Sequence, residues 1–140
     1  MHQNSPNNII LTQEQIESLG YSLREIEQGI LKPGQRKGAH RLWFQGAEPY
    51  FDIFIETIDS KIVWFQFTLR GKSLSWDIRR PGWQTGNTDE LKIDDVSFYA
   101  ASKTIDSDSE VDWNFVTLTK SILETRIQED IFAKILKLYS

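Results

Sequence analysis

The sequence predicts an α+β fold built around an antiparallel β-meander, and three observations lead to this prediction. Four stretches between residues 39 and 78 alternate apolar and polar side chains with a period of two, which is typical of half-buried strands. Short turn sequences separate these stretches, as in strands joined by hairpins. Apolar residues at helical spacing flank them on both sides. We therefore expect about five strands, two short N-terminal helices, and C-terminal helices packed on one face of the sheet.

The N-terminal region carries two helix-start signals, each a hydroxyl residue followed three positions later by Gln or Glu and then by a glycine. These signals are Thr12 with Gln15 before Gly20, and Ser22 with Glu25 before Gly29. They predict helices over 13–19 and 23–28, which we place at an edge of the sheet. Residues 1–8 are polar, and we expect a disordered tail there before a single domain over 9–140.

The turns between the strands predict their register. The connections are a two-residue turn at Arg70-Gly71, a three-residue turn over 59–61 and a longer segment over 45–50. The resulting cross-strand pairs join large apolar residues: Phe67 with Leu74, Phe65 with Trp76, Val63 with Ile78, Ile55 with Phe65, and Phe44 with Phe51. Since directly opposite residues share a face, every connection places the large apolar side chains on one side of the sheet.

The segment after the meander is predicted to be less regular. Residues 79–92 contain Pro81 and several Gly and Asn positions, which predict a loop. Alternate apolar positions predict a fifth strand over 93–105. A loop over 106–110 is expected to lead into the next helix.

Two C-terminal helices are predicted on either side of a break near 125–127. The first carries apolar residues at helical spacing, and so does the second: Phe115, Leu118 and Ile122, then Ile131, Ile135 and Leu138. These helices should cover the face of the sheet that carries Phe51, Phe65 and Trp76.

The composition excludes several classes of protein. The 140 residues contain no cysteine, which excludes disulfides and cysteine-based zinc sites. A formal net charge of −4 disfavours binding to a nucleic-acid backbone. No apolar run has the length of a membrane span, and the polar N-terminus lacks the pattern of a signal peptide. We therefore expect a cytoplasmic protein that needs no cofactor and has neither a membrane nor a nucleic acid as its partner.

The polar side of the meander is the principal candidate site. In the predicted register it collects aromatic rings among hydrogen-bonding groups: Arg41, Trp43, Asp52, Phe54, Glu56, Trp64, Gln66, Arg70 and Asp77. Rings supply contact area and polar groups fix orientation, so this combination is typical of a recognition surface. The alternative is that the N-terminal helices or a second subunit cover these rings.

The predicted 79–92 loop is a second candidate site. Arg79, Arg80 and Trp83 would allow a mobile flap to hold an anionic or planar ligand by charge and stacking. The alternative is that Trp83 packs into the core and anchors a long surface loop.

Catalytic and metal-binding patterns are weak. Asp52 and Glu56 are four residues apart on one strand, so their Cα atoms lie about 13 Å apart at ~3.3 Å per residue. Glycosidase carboxylates stand ~5–9.5 Å apart, and we favour instead an ion pair with Arg41 or Arg70. Histidines occur only at positions 2 and 40 and match no metal-ligand spacing. No catalytic residue and no metal ligand is therefore predicted.

Residues 12–29 superficially resemble the helix-turn-helix of phage-repressor-type regulators. The would-be recognition helix offers Glu25 and Glu27 against a single Arg24. Two carboxylates there would repel DNA phosphates, so we do not favour DNA binding.

The aromatic positions of the meander carry a resemblance to other proteins. These positions and their polar neighbours are Arg41 with Trp43-Phe44, Asp52, Phe65-Gln66 and Trp76, followed by Phe115, Ser121, Ile131 and Leu138 in the last helices. Over about residues 36–139 the chain resembles a group of small uncharacterised bacterial proteins. The resemblance implies an α+β fold and brings no activity with it.

The sequence thus favours a non-enzymatic binding or protein-interaction module. Its surface would be the Trp43, Trp64 and Gln66 side of the sheet, and its partner another protein or a second copy in a homodimer. The alternative is a small-ligand-binding protein or enzyme with a pocket beside residues 79–92.

Overall fold

The computed structural model describes residues 9–27, 38–88 and 105–140, and the elements below lie within those ranges. They are α1 (Gln13–Ser22), β1 (Arg24–Glu25), β2 (His40–Gln45), β3 (Asp52–Ile58), β4 (Lys61–Leu69), β5 (Lys72–Asp77), β6 (Arg80–Thr88), β7 (Ile105–Ser107), α2 (Trp113–Glu124) and α3 (Asp130–Lys137). The strands form one antiparallel sheet in the order of the chain. The α+β class and the antiparallel meander are confirmed, with seven described strands instead of about five.

Some predictions fall outside the described residues. They are the tail over 1–8, the stop at Gly29, the end of the predicted loop over 89–92 and most of the fifth strand over 93–105. Only Ile105 of that predicted strand lies in a described strand, β7. None of the three described helices has the length and apolar character needed to cross a lipid bilayer.

The first predicted helix is confirmed, with its capping box. The Gln15 backbone N–H donates to Thr12 Oγ1 at 3.1 Å, and the Thr12 N–H donates to Gln15 Oε1 at 2.8 Å. The helix runs past Gly20 to Ser22. A Cβ at position 20 would overlap the Thr125 side chain and lie 2.8 Å from the Ile122 carbonyl oxygen. Gly20 therefore permits close packing of α1 on α2, and the prediction that it ends the helix is wrong.

The second predicted helix, over 23–28, is wrong for the described residues 23–27. Leu23 is buried in the core, and Arg24 and Glu25 pair with β2 as an edge strand. The Ser22 hydroxyl donates to the Leu19 carbonyl and accepts from the Ala47 N–H, so it is not available to cap a new helix. Tertiary contacts have overridden the local capping signal.

The guanidinium of Arg126 adds to the local cap at the end of α1, where the Leu23 N–H donates to the Gly20 carbonyl. Arg126 Nη1 donates to the Gly20 carbonyl at 2.9 Å and to the Leu23 carbonyl at 2.6 Å. The same side chain pairs with Glu129 and stacks over Phe132, 4.9 Å from the ring centroid. α1 packs on α2, and the edge strand β1 follows it directly in the chain.

The predicted pairing of β3, β4 and β5 is confirmed. Observed partners include Ile53 with Phe67, Ile55 with Phe65, Phe65 with Trp76, and Phe67 with Leu74. Arg70 and Gly71 both have positive φ, as a two-residue hairpin turn of this type requires. The β4–β5 hairpin therefore has the predicted geometry.

The β3–β4 turn has a different length from the prediction, although the pairing of β3 with β4 agrees with it. It has two residues, Asp59 and Ser60, both with positive φ, instead of the predicted three. A β-bulge between Glu56 and Thr57 then shifts the register, so that Glu56 pairs with Trp64 while Thr57 pairs with Ile62. Because of the bulge, Ile62 joins the core cluster, in which Val63 was expected.

The β2–β3 register differs from the prediction by two residues. Phe44 pairs with Ile53 rather than with Phe51, and Leu42 pairs with Ile55. Phe51 precedes the strand and closes the connection by accepting a hydrogen bond from the Gly46 N–H at 2.9 Å. A shift of two leaves every side chain on its predicted face, since successive side chains alternate.

The loop predicted over 79–92 is wrong for residues 80–88, which form β6. Asp77 pairs with Arg80 and Ser75 pairs with Gln84, so residues 81–83 lie opposite Trp76 alone. This irregularity accommodates Pro81, which cannot donate to the ladder, and Gly82, whose φ is 103°. The Pro and Gly signals were real, but they mark a bulge inside a strand.

Both C-terminal helices are confirmed on the apolar face. Phe115 of α2 packs edge-on against Phe67 with ring centroids 6.2 Å apart, and Phe132 of α3 packs edge-on against Phe44 at 5.1 Å. Asp112 caps α2 by accepting from the Phe115 N–H. The helix therefore begins at Trp113, and the loop before it lies two residues later than predicted because residues 106 and 107 belong to β7.

Candidate functional site

Six of the predicted site residues lie together on three adjacent strands, on the side of the sheet away from the helices. They are Arg41 and Trp43 on β2, Asp52 and Glu56 on β3, and Trp64 and Gln66 on β4. Strand pairing aligns them in rows across the sheet: Arg41 with Glu56 and Trp64, Trp43 with Phe54 and Gln66. We call this set, with Phe54, the aromatic–polar face.

Arg41 is the centre of the aromatic–polar face. Its Nη2 lies 3.0 Å from Glu56 Oε2 in an ion pair whose side chains are 7% and 3% exposed. Its guanidinium carbon lies 5.2 Å from the Trp64 ring centroid and 5.6 Å from that of Phe54. The predicted Arg41 ion pair is therefore confirmed, with Glu56 as the carboxylate. Low exposure strengthens its electrostatics and makes the loss of either partner costly.

Trp43 extends the same network toward Asp52. Its indole Nε1–H donates to Asp52 Oδ1 at 2.9 Å. Its ring stacks on Phe54 with centroids 5.8 Å apart and planes inclined by 15°. Hydrogen bonding at one end and stacking along the ring hold the indole in one orientation.

The aromatic–polar face is mostly buried. Arg41, Asp52, Phe54, Glu56 and Gln66 are buried, whereas Trp43 and Trp64 are half-buried. The polar groups therefore bond to protein neighbours, and the two indoles supply the accessible surface. This is a fixed internal network with an aromatic margin rather than the open, flat surface that the sequence suggested.

Two predicted site residues lie elsewhere. Arg70 is at the β4–β5 turn, where Nε and Nη2 bond both carboxylate oxygens of Glu48 at 2.9 and 3.0 Å. The hydrogen bond to Glu48 raises the pKa of the Arg70 guanidinium. Trp83 packs against the core instead of on a flap, with its ring centroid 4.4 Å from that of Tyr139 and 6.4 Å from that of Phe65.

An open groove between β4, β5 and α3 is a site that the sequence did not indicate. Its volume is about 500 Å³, and its apolar walls are the side chains of Ile62, Trp76, Ile78 and Leu138. Ile78 was expected in the core but is 38% exposed. It follows β5 in the turn to β6, where its backbone N–H donates to the Val63 carbonyl. We call this site the lysine-rimmed groove because Lys61, Lys134 and Lys137 also line it.

The walls of the groove are fixed to one another. Lys134 Nζ donates to the carbonyl of Ser60 at 3.0 Å, which links α3 to the β3–β4 turn. Lys134 also lies 3.5 Å from Asp130, one turn earlier on α3. A sequence signal existed, since Lys134, Lys137 and Leu138 share one side of a helix. The opposite wall comes from residues about seventy positions earlier, which no local pattern connects to α3.

A smaller polar cavity of about 290 Å³ lies beside Trp83, between β6 and the segment after β7. The Thr85 hydroxyl donates to Asp108 Oδ2 at 2.7 Å and accepts from the Asp112 N–H at 2.9 Å. These hydrogen bonds use Thr85 to tie the start of α2 to the sheet. Because Thr85 and Asp108 bond to protein neighbours, fewer polar groups of the cavity lining can bond to a ligand.

Two titratable groups outside these sites have shifted pKa values with structural causes. Burial raises the pKa of Tyr139, whose hydroxyl lies 2.8 Å from Thr119 Oγ1. Burial alone would raise the pKa of Asp112, but hydrogen bonds from Lys72 and the Phe115 N–H outweigh it and lower that pKa. Lys72 Nζ lies 2.6 Å from Asp112 Oδ2. Both groups join helices to the core, so their shifts reflect packing.

Within residues 9–27, 38–88 and 105–140, no three His, Asp or Glu side chains are grouped so that they could hold a metal ion. The eight described residues lining the groove include no acidic residue and no histidine that could serve as a general base.

Comparison with protein-family models, with curated proteins and with solved structures found no match to this chain. The resemblance to small bacterial proteins stays a prediction.

Proposed function

We propose that this chain is a non-enzymatic binding protein whose ligand lies in the lysine-rimmed groove. The observation that carries the proposal is apolar surface left open in a concave site, where Ile78 and the half-buried Trp76 face space rather than protein. A volume of about 500 Å³ falls within the ~300–1,000 Å³ usual for small-molecule sites. None of the described residues 79–88 lines the groove, so it is distinct from the pocket that the sequence predicted beside segment 79–92.

The construction of the groove supports this function. Its floor comes from paired strands, and its opposite wall comes from a helix that is tied to the β3–β4 turn. A site formed before the ligand arrives loses less entropy on binding than one that must be ordered by it. Since the described residues of its lining include no acidic residue and no histidine, we propose recognition without chemistry. We also place the protein in the cytoplasm, because a chain without cysteine has no disulfides that need an oxidising compartment.

Replacing Ile78 with Asn tests the groove. We expect binding of a neutral apolar probe, Nile red or decanol, to weaken about fivefold, corresponding to about 1 kcal/mol for one lost apolar contact. The measurement is a fluorescence titration with Nile red and its displacement by decanol. Asn is close to Ile in size, and position 78 is exposed, so stability should change little.

The matched control is Ile127→Asn, since Ile127 is 55% exposed in the α2–α3 connection and does not line the groove. This variant should bind the probe as the unmodified protein does. Equal probe affinity for the unmodified protein, Ile78→Asn and Ile127→Asn would place the apolar site elsewhere and overturn the proposal.

A second candidate function is protein contact through the margin of the aromatic–polar face, with a second copy of the chain as the partner. The half-buried indoles of Trp43 and Trp64 favour it, because rigid aromatic rings beside Arg are typical of interface centres. A fixed network behind the rings reduces the entropy lost on contact.

Trp64→Ala tests this second candidate. We expect self-association to weaken at least about tenfold, as is typical for an interface aromatic residue, measured by sedimentation equilibrium. Trp113→Ala is the matched control, since Trp113 is 63% exposed on α2 and outside the face. A protein that is monomeric at every concentration, with or without Trp64, would contradict the homodimer.

A further inference from the structure

We infer that the ligand of the lysine-rimmed groove is a monomeric amphiphilic carboxylate. Its apolar chain would lie along Trp76, Ile62 and Leu138, and its carboxylate would meet the lysine ammonium groups at the rim. This inference rests on the proposed function, and it adds the chemical class of the ligand.

The charge of the groove carries the inference. The whole chain has 20 acidic against 16 basic residues, yet the eight described residues that line the groove include three lysines and no acid. An apolar surface with one sign of charge at its margin is complementary to a molecule with an apolar body and an opposite charge. A neutral apolar ligand would not need a positively charged rim on a chain whose net charge is negative.

Two of the three lysines are available to a ligand. Lys134 is engaged with the Ser60 carbonyl and with Asp130. Within the part of the chain that the structure describes, Lys61 and Lys137 have no ion-pair partner. Their flexible stems cover apolar surface while their ammonium groups stay at the solvent boundary. Lysine in this position can follow a carboxylate whose place varies with chain length.

Stabilisation of α3 explains only two of the three lysines at the rim of the groove. Lys134 and Lys137 lie in the last turn of α3, where cations offset the negative end of the helix dipole. Lys61 begins β4 and lies outside that helix, so the dipole does not explain its presence at the same rim. Lysines from both α3 and β4 therefore lie at one rim, which indicates that the groove between these two elements binds an anionic group.

The shape of the site favours a single molecule over a membrane surface. A bilayer would contact a convex patch, whereas the exposed apolar side chains here lie in an open groove of about 500 Å³ between β4, β5 and α3. A medium-chain carboxylate presents an apolar chain and one charge, which are the two properties of the groove. We therefore expect decanoate to bind as a monomer.

The experiment compares decanoate with decanol, using calorimetric titration of the unmodified protein and of the double variant Lys61→Gln, Lys137→Gln. We expect the double variant to bind decanoate about tenfold more weakly, as the loss of two exposed charge contacts predicts. Decanol affinity should stay within about twofold, because the apolar walls are intact. High salt should weaken decanoate in the unmodified protein and have little effect in the variant.

The charge-matched control is Arg24→Gln, Lys120→Gln, which removes two exposed cations outside the groove. It should bind both probes normally. If decanoate and decanol both bind and the groove variant alters neither, the groove stands and the carboxylate inference is overturned. If neither probe binds, the proposed function fails as well. Capture by anionic vesicles without binding of monomeric decanoate would overturn the inference in favour of a membrane surface.

Discussion

Replacing Arg41 with Met is expected to lower the free energy of unfolding by about 3–5 kcal/mol, the usual cost of removing one partner of a buried ion pair. The substitution removes the guanidinium that bonds Glu56 at 3.0 Å where the Glu56 side chain is 3% exposed. It also removes the cation that lies over the rings of Phe54 and Trp64. Equilibrium urea unfolding, monitored by circular dichroism, measures the change.

A double variant separates the charge effect from the packing effect. Arg41→Met with Glu56→Leu replaces both charged groups by apolar side chains, and we expect it to recover at least half of the lost stability. Arg79→Met is a control at the exposed Arg79–Asp77 pair and should leave the unfolding midpoint unchanged. If the double variant were less stable than the single variant, the buried charge would not be the cause of the loss.

Replacing Gly20 with Ala is expected to destabilise the fold by about 2–3 kcal/mol, as overpacking of a close contact does. The sign is informative because Ala is favoured over Gly inside a helix by about 1 kcal/mol. The added methyl would overlap the Thr125 side chain and approach the Ile122 carbonyl oxygen at 2.8 Å. Steric conflict between α1 and α2 must therefore outweigh helix propensity. Thermal and urea unfolding give the measurement.

Two further variants test the cause of the Gly20 effect. Ser18→Ala lies on the exposed side of the same helix, so it should be neutral or slightly stabilising. Thr125→Gly in the Gly20→Ala background removes the overlapping side chain and should restore part of the stability. A Gly20→Ala protein as stable as the unmodified one would show that the helices separate at little cost.

Local alternation of side chains was enough to predict the central sheet. Phe65 and Phe67 share a face because successive side chains alternate along a strand, whatever the turn does. Residues of neighbouring strands stay on a common face when the register shifts by an even number. The β2–β3 register was wrong by two residues, yet Phe44 stayed on the apolar face. The face of the sheet on which a side chain lies was therefore predicted more securely than the residue that it pairs with.

The capping-box spacing and the Pro-Gly pair both mark real local features, but the structures predicted from them were wrong. Ser22 and Glu25 have the spacing of a capping box, but the Ser22 hydroxyl bonds the Leu19 carbonyl and the Ala47 N–H. Pro81 and Gly82 mark an irregularity, but it lies inside β6 rather than in a loop. In each case, a contact with another segment of the chain decides which secondary structure forms.

The candidate site was predictable only in part. That Arg41, Glu56 and Trp64 share a face follows from strand parity, but the Arg41–Glu56 pairing depends on the β2–β3 register, which was predicted two residues away. The burial of this face did not follow, because alternation assigns a side chain to a face without saying what covers it. The lysine-rimmed groove did not follow either, since it needs the exposed Ile78 and the approach of α3 to the β3–β4 turn.

The sequence by itself determined the class of fold and, apart from the bulge that brings Ile62 rather than Val63 into the core, the residues that share each face of the sheet. These properties depend on side-chain alternation and helical periodicity, which act between neighbours in the chain. Only the tertiary structure decided that the polar face is an internal network and that the open apolar surface lies beside α3. Burial and cavities arise where segments distant in sequence meet, and no periodicity within one segment encodes how closely another will approach it.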